Sequence, residues 1–220
     1  MRPSLACCPT RRLPRPALPG LAGFAALAAF ATGALLAPVT AASAPVVYDL
    51  DPAHSFVHFE VEHFGTSTVR GRFGPVAGTV ELDREARRGR VALRIATAGV
   101  DTGYAVFNAR LREDDLLSVQ AHPEAFFVAE GFRFDAQGAP AEVRGEFTLR
   151  GVSQPLSLHA RFFGCRSETT AASAHTAARR EICGGEYEAE LNRSEFGATF
   201  GLPFIADRVR VRVQVEAVRR

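Results

Sequence analysis

His54, His58 and His63 stand close together and are the first candidates for metal ligation or proton transfer. On an extended strand, residues of equal parity share a face, so His54 and His58 point one way and His63 the other. The three cannot converge simply on one ion, and no Cys or His pair elsewhere stands at zinc spacing. They read as surface or turn hydrogen-bonding groups, and no metal is expected. Ser, His and Asp all occur, yet there is no G-x-S-x-G elbow and no pair of carboxylates in a recognisable setting. Every basic residue is Arg, so Schiff-base and lysine-nucleophile chemistry is excluded. The residues predict a protein that is not an enzyme and has no cofactor.

Cys165 and Cys183 and the guanidinium of Arg193 carry the remaining chemistry. In an oxidising compartment the cysteines read as a disulfide; a metal reading lacks a second ligand pair. Arg193, in the run Arg193-Ser194-Glu195-Phe196-Gly197, could grip a phosphate or carboxylate in a fork. It is the headgroup candidate, with a structural ion pair as the equal alternative.

The oxidising compartment follows from the N-terminus. Arg2, Arg11, Arg12 and Arg15 precede an apolar run from Leu21 to Val39, and Val39-Thr40-Ala41 supplies small residues for signal peptidase. Residues 1–41 read as a cleaved signal peptide, and residues 42–220 as one exported, periplasmic domain with no membrane span once mature. An uncleaved anchor is the competing reading, since about 20 apolar residues can cross a bilayer. Removing four of the 26 basic residues and no acid leaves 22 against 24, a mildly acidic domain without the basic footprint that nucleic acid demands.

Period-2 alternation dominates that domain. Val209, Val211, Val213 and Val215 interleave with Arg208, Arg210, Arg212 and Gln214, and the pattern recurs at Val57-Phe59-Val61 and Val91-Leu93-Ile95. It continues at Phe147-Leu149, at Leu156-Leu158-Ala160-Phe162 and at Tyr187-Ala189-Leu191. One register is ambiguous, because Phe126, Val128, Phe132 and Phe134 share one parity and Phe127 the other. Arg88-Gly89, Asp135 to Gly138 and Gly184-Gly185 read as hairpin joints. Tyr104 to Ser118 has helical spacing, and residues 166–181 read as an irregular surface excursion stapled by the cysteines. About eight strands, each with one apolar face, must close into a sandwich or a barrel; strands as long as the last favour a barrel.

These residues also resemble a known family. Ser55 to Gly65 followed by Val69-Arg70-Gly71-Arg72-Phe73, then Val100-Asp101-Thr102-Gly103, Thr148 to Leu156 and Asn192 to Gly197, are similar in order to the signatures of the YceI-like family of exported, lipocalin-like polyisoprenoid-binding proteins. The resemblance covers nearly all of residues 48–218. It departs at Phe107-Asn108-Ala109-Arg110-Leu111, where an amide and a guanidinium replace the family's usual acid and histidine, and at Leu116-Leu117-Ser118.

The resemblance implies an all-β fold, an extended antiparallel eight-stranded lipocalin-like barrel with one or two short helices. It implies a polyisoprenoid, isoprenoid quinone or fatty-acid-like chain held inside. The residues that would line it are Val57, Phe59, Phe73, Leu93, Leu111 and Phe127, together with Phe147, Leu158, Phe162, Phe196 and Val213. A packed barrel serving as an envelope stress or protein-interaction module is the alternative. The residues admit a monomer or a homodimer.

Overall fold

The computed structural model describes residues 44–171 and 177–220. The expected signal peptide and the cut after Ala41 lie outside the described residues. Ten strands run in the order β1 (Val46–Leu50), β2 (Phe56–His63), β3 (Ser67–Phe73), β4 (Val76–Asp83), β5 (Arg88–Ala96), β6 (Glu124–Phe134), β7 (Pro140–Leu149), β8 (Val152–Ala171), β9 (Ala177–Asn192) and β10 (Ile205–Arg219). Helix α1 (Ala105–Leu111) and short 3-10 turns at Thr97–Gly99 and Arg193–Phe196 lie between them.

All pairings are antiparallel, in the order β1-β4-β5-β6-β7-β8-β9-β10-β2-β3, and β1 also pairs with β10 to close the ring. One edge of β10 serves two strands: Ala217 to Arg219 face β1, and Ile205 to Gln214 face β2. β1 and β2 are therefore halves of one bent stave. Their joint is fastened by Ser55, whose Oγ donates to the Glu216 carbonyl and accepts from the Glu216 N–H, both at 3.2 Å. β3 and β4 are the halves of the next stave, since β3 pairs with β2 and β4 with β1. Counted by staves, the barrel is eight-stranded.

Alternation explains which side of each stave faces in. Val209, Val211 and Val213 are buried while Arg208, Arg210 and Arg212 are exposed. Each buried Val contributes about 1.5–3 kcal/mol relative to an exposed one, so sliding by one residue would forfeit a whole row.

Bulges at Glu130 in β6 and at Arg161 in β8 break this parity. Ala129 pairs with Gly145 and Gly131 with Arg144, leaving Glu130 as an extra residue. Ala125, Phe127 and Ala129 point inward before it, and Phe132 and Phe134 pack against the core after it. The ambiguous register is thus resolved by both parities, one for each half of β6. In β8, Ala160 pairs with Tyr187 and Phe162 with Glu186, so Arg161 is the extra residue. Phe162, expected inside, is turned outward and 60% exposed, and Phe163 takes its inward place.

Gly184 and Gly185 are not a hairpin joint. They lie within β9, opposite Gly164 and Phe163 of β8. A Cβ on Gly184 would come within 2.6 Å of the Val215 carbonyl oxygen, so glycine there permits close approach between strands. Nor is the 166–181 excursion irregular: β8 and β9 continue as a ladder from Cys165–Cys183 to Ala171–Ala177. Arg166 to Thr169 are exposed throughout, so this ribbon needs no hydrophobic alternation and shows none. The helical stretch is also shorter than expected, ending at Leu111 and continuing as turns that bury Leu117 and Val119.

Candidate functional site

The inward faces enclose three apolar chambers in series along the barrel. One, about 70 Å³, lies at the end carrying the Cys165–Cys183 disulfide. The middle one is about 30 Å³, and the third, about 120 Å³, lies under α1. The middle chamber shares Leu93, Phe127, Leu158 and Val213 with the first, and Val57, Ile95, Phe147, Leu191 and Val211 with the third. Side chains rather than backbone therefore form the necks. An apolar cavity near 150 Å³ is roughly what benzene occupies. The lumen is thus a chain of small rooms instead of an open tunnel, and a long lipid enters only if the neck side chains change rotamer.

Nine of the eleven expected lining residues are brought together here: Val57, Phe59, Phe73, Leu111 and Phe147 at the α1 end or middle, and Leu93, Phe127, Leu158 and Val213 toward the disulfide. Phe196 is buried but lies behind the wall, its ring edge-to-face on Phe147. Phe162 points outward because of the Arg161 bulge. Tyr48, Phe132, Phe163 and Tyr187 also line the disulfide-end chamber. Tyr187 was legible from its alternation with Ala189 and Leu191; Phe163 was hidden by the bulge.

Arg193 is not a free fork. Although it borders the α1-end chamber, its guanidinium donates to the carbonyls of Ala198, Ile205 and Ala206, pinning the segment that leads into β10. Neighbouring Asp207 accepts from the Ser194 N–H and hydroxyl at 2.8 and 2.6 Å. This side chain is a structural clamp on the barrel's end.

The departures around α1 acquire similar roles. Asn108 Oδ1 accepts from the Thr102 N–H and hydroxyl, both at 2.7 Å, and its Nδ2 donates to Asp101 at 3.1 Å. Arg110 makes a bidentate pair with Asp115 at 2.6 and 2.7 Å and lies 4.1 Å over the Phe200 ring. Arg150, at a tight Arg150-Gly151 turn with both φ angles positive, donates to the carbonyls of Asp114 and Leu116. Together they fasten the cover over the α1-end chamber.

A wider concavity, about 960 Å³, lies on the outer face and is lined by groups such as His58, Glu60, Arg70, His159, Glu188 and Arg212. It is open and charged, and its exposed pairs, such as Arg210 with Glu190 at 3.3 Å, add little stability. His54 is exposed and bonded through Nδ1 to Asp51 at 2.7 Å, which raises the imidazole pKa and lowers that of the carboxyl. Among the described residues, no group of close metal-ligating atoms contains two of His54, His58 and His63.

The arrangement can therefore enclose hydrocarbon. The family model described as YceI-like domain matches residues 48–217. A UPF0312 protein of Pseudomonas aeruginosa is 30% identical over 181 residues, covering 82% of this chain and 90% of its own. One from Shewanella sp. strain ANA-3 is 34% identical over 133 residues, 60% of this chain and 69% of its own. Among solved structures, BcnA of Burkholderia cenocepacia superposes with a TM-score of 0.58 at 19% identity, covering 76% of this chain and 99% of its own. A polyisoprenoid binding domain from Saccharophagus degradans superposes at 0.54 with 17% identity, covering 80% and 99%. The matched span runs from within β1 to within β10 and takes in the eight strands between them, and the chain belongs to the YceI-like family.

Proposed function

We propose that this protein, exported to the periplasm and freed of residues 1–41, binds or carries an apolar lipid chain inside its barrel and performs no chemistry on it. The chain would be a polyisoprenoid, an isoprenoid quinone or a fatty-acid-like tail. The observation that carries this reading is the row of carbon-lined chambers joined through side-chain necks. Transfer of hydrocarbon into them gains about 0.8 kcal/mol per methylene, so a long chain offsets both the association cost and the repacking. Family membership and the resemblance to a polyisoprenoid binding domain support it. The disulfide suits an oxidising compartment, and among the described residues no helix is long and apolar enough to cross a membrane.

Native mass spectrometry of protein purified from its own periplasm tests the reading. A copurifying lipid, or uptake of added isoprenoids, is expected; persistent absence of both contradicts it. The small chamber volumes favour a second reading, a packed barrel that acts as an envelope stress or interaction module. That reading expects no lipid under either condition.

A further inference from the structure

We propose that the α1 end of the barrel docks on a lipid bilayer, with an exposed row of aromatic and aliphatic side chains entering the interface. The contact lies on the outside of the molecule and does not depend on what fills the chambers.

The row runs across three chain segments. Phe64, in the turn between β2 and β3, stacks on Phe204, just before β10, with ring centroids 5.9 Å apart. Phe200 lies in the same loop as Phe204, and Arg110 of α1 covers its ring at 4.1 Å. Val106, four residues before Arg110, shares that face of the helix. These four, with Tyr104 at the entry to α1, are between 45% and 67% exposed. They are five of the nine large apolar side chains exposed among the described residues, gathered at one end. Single exposed apolar residues need no explanation, but a gathered row marks a contact surface.

The turn that carries Phe64 is an independent sign. Phe64 and Gly65 have φ angles of 54° and 64°, and the Thr66 N–H donates to the His63 carbonyl at 3.1 Å. In such a two-residue reversal Asn is the favoured partner of Gly, and a bulky side chain at positive φ is an outlier. The ring is thus unfavourable for its own turn and gains little burial within the molecule. What it can gain is burial against something outside.

Size and polarity identify the occupant. A stable protein interface takes about 20–30 residues a side, and this row of five falls well short of that for a partner protein or a second copy. A bilayer interface takes a few aromatic anchors and asks for no matching hydrogen bonds. The polar groups beside the row are already engaged. Arg110 is paired with Glu113 and Asp115. The N–H groups of Phe64, Leu202 and Ile205 donate to the carbonyls of Phe204, Thr199 and Gly201, and Pro203 has no N–H. Backbone satisfied in this way enters an apolar phase at low cost. Docking here sets the chamber under α1 against the membrane.

The chain contains no Trp, so Phe204→Trp carries a single indole reporter. The probe is a vesicle of phosphatidylethanolamine and phosphatidylglycerol with brominated acyl chains. Emission of Phe204→Trp is expected to shift to the blue and to be quenched by the bromines, whereas Phe162→Trp, on the outer wall of the barrel, shows neither. Phe64→Asn suits the turn and is expected to fold. Its vesicle partition coefficient, measured by sedimentation, should fall roughly 10-fold or more below that of wild type. No vesicle binding by wild type, equal quenching of the two indoles, or unchanged partitioning of Phe64→Asn overturns the proposal. Self-association of wild type that Phe64→Asn abolishes also overturns it, by giving the row to a second copy. None of these outcomes touches the copurifying lipid that tests the proposed function, so the two readings fail separately.

Discussion

The rings of Phe147 and Phe196 meet edge to face, with centroids 5.5 Å apart and planes at 70°. Phe147 borders the α1-end and middle chambers from β7, and Phe196 backs it from the 3-10 turn that Arg193 begins. Phe196 is 2% exposed, so Phe196→Ala should cost about 3–5 kcal/mol in urea denaturation. Phe162→Ala, on the outer side of the Arg161 bulge, should stay within about 0.5 kcal/mol of wild type. Similar losses for both variants would mean that the β8 register is wrong.

The clamp role of Arg193 predicts a stability defect. Arg193→Met leaves three carbonyls without their charged donor, and a loss of at least about 2 kcal/mol is expected. Hydrogen exchange should quicken in residues 197–206. A variant of wild-type stability that binds lipid phosphates more weakly would restore the headgroup role.

Glu142 sets part of the acid response. It is 2% exposed and opposite Arg133; bonds from Arg144 and Arg133 lower its pKa from 4.5 to about 2. A carboxylate depressed by folding stabilises the native state fully above its unfolded pKa, and that stability is lost as pH falls from about 4.5 toward about 2. Denaturation midpoints measured between neutral pH and this range should fall less steeply for Glu142→Gln. Parallel profiles for the two proteins would contradict the assignment.

Cys165 and Cys183 are directly paired across β8 and β9, 18 residues apart in sequence. Chain entropy puts reduction at a cost of roughly 3 kcal/mol. A clear drop in Tm under reductant, absent in the Cys165→Ala/Cys183→Ala double variant, is the expected result; an unchanged wild-type Tm contradicts it.

The staves were legible wherever one face is buried and the other wet, as in β10, because alternation there is a direct consequence of burial. The bulges at Glu130 and Arg161 were not, since an inserted residue leaves no mark except adjacent aromatics, Phe126-Phe127 and Phe162-Phe163, whose facing is undecided by parity alone. Gly184-Gly185 misled because glycine serves both turns and close strand approach. Most of the lining followed from inward parity, but the size of the chambers did not, because packing depends on how side chains from different staves interlock. The role of Arg193 was likewise invisible, for its partners are backbone carbonyls.

The central claim is that an apolar chain lies inside the barrel. With a prenyl lipid bound to methyl-labelled protein, nuclear Overhauser contacts between ligand and protein methyls test it most directly. Contacts to Leu93, Leu158 and Val213, which form one neck, are expected, with none to the outward Val128 or Val152. Saturable binding that shows contacts only to the outward methyls would contradict the account.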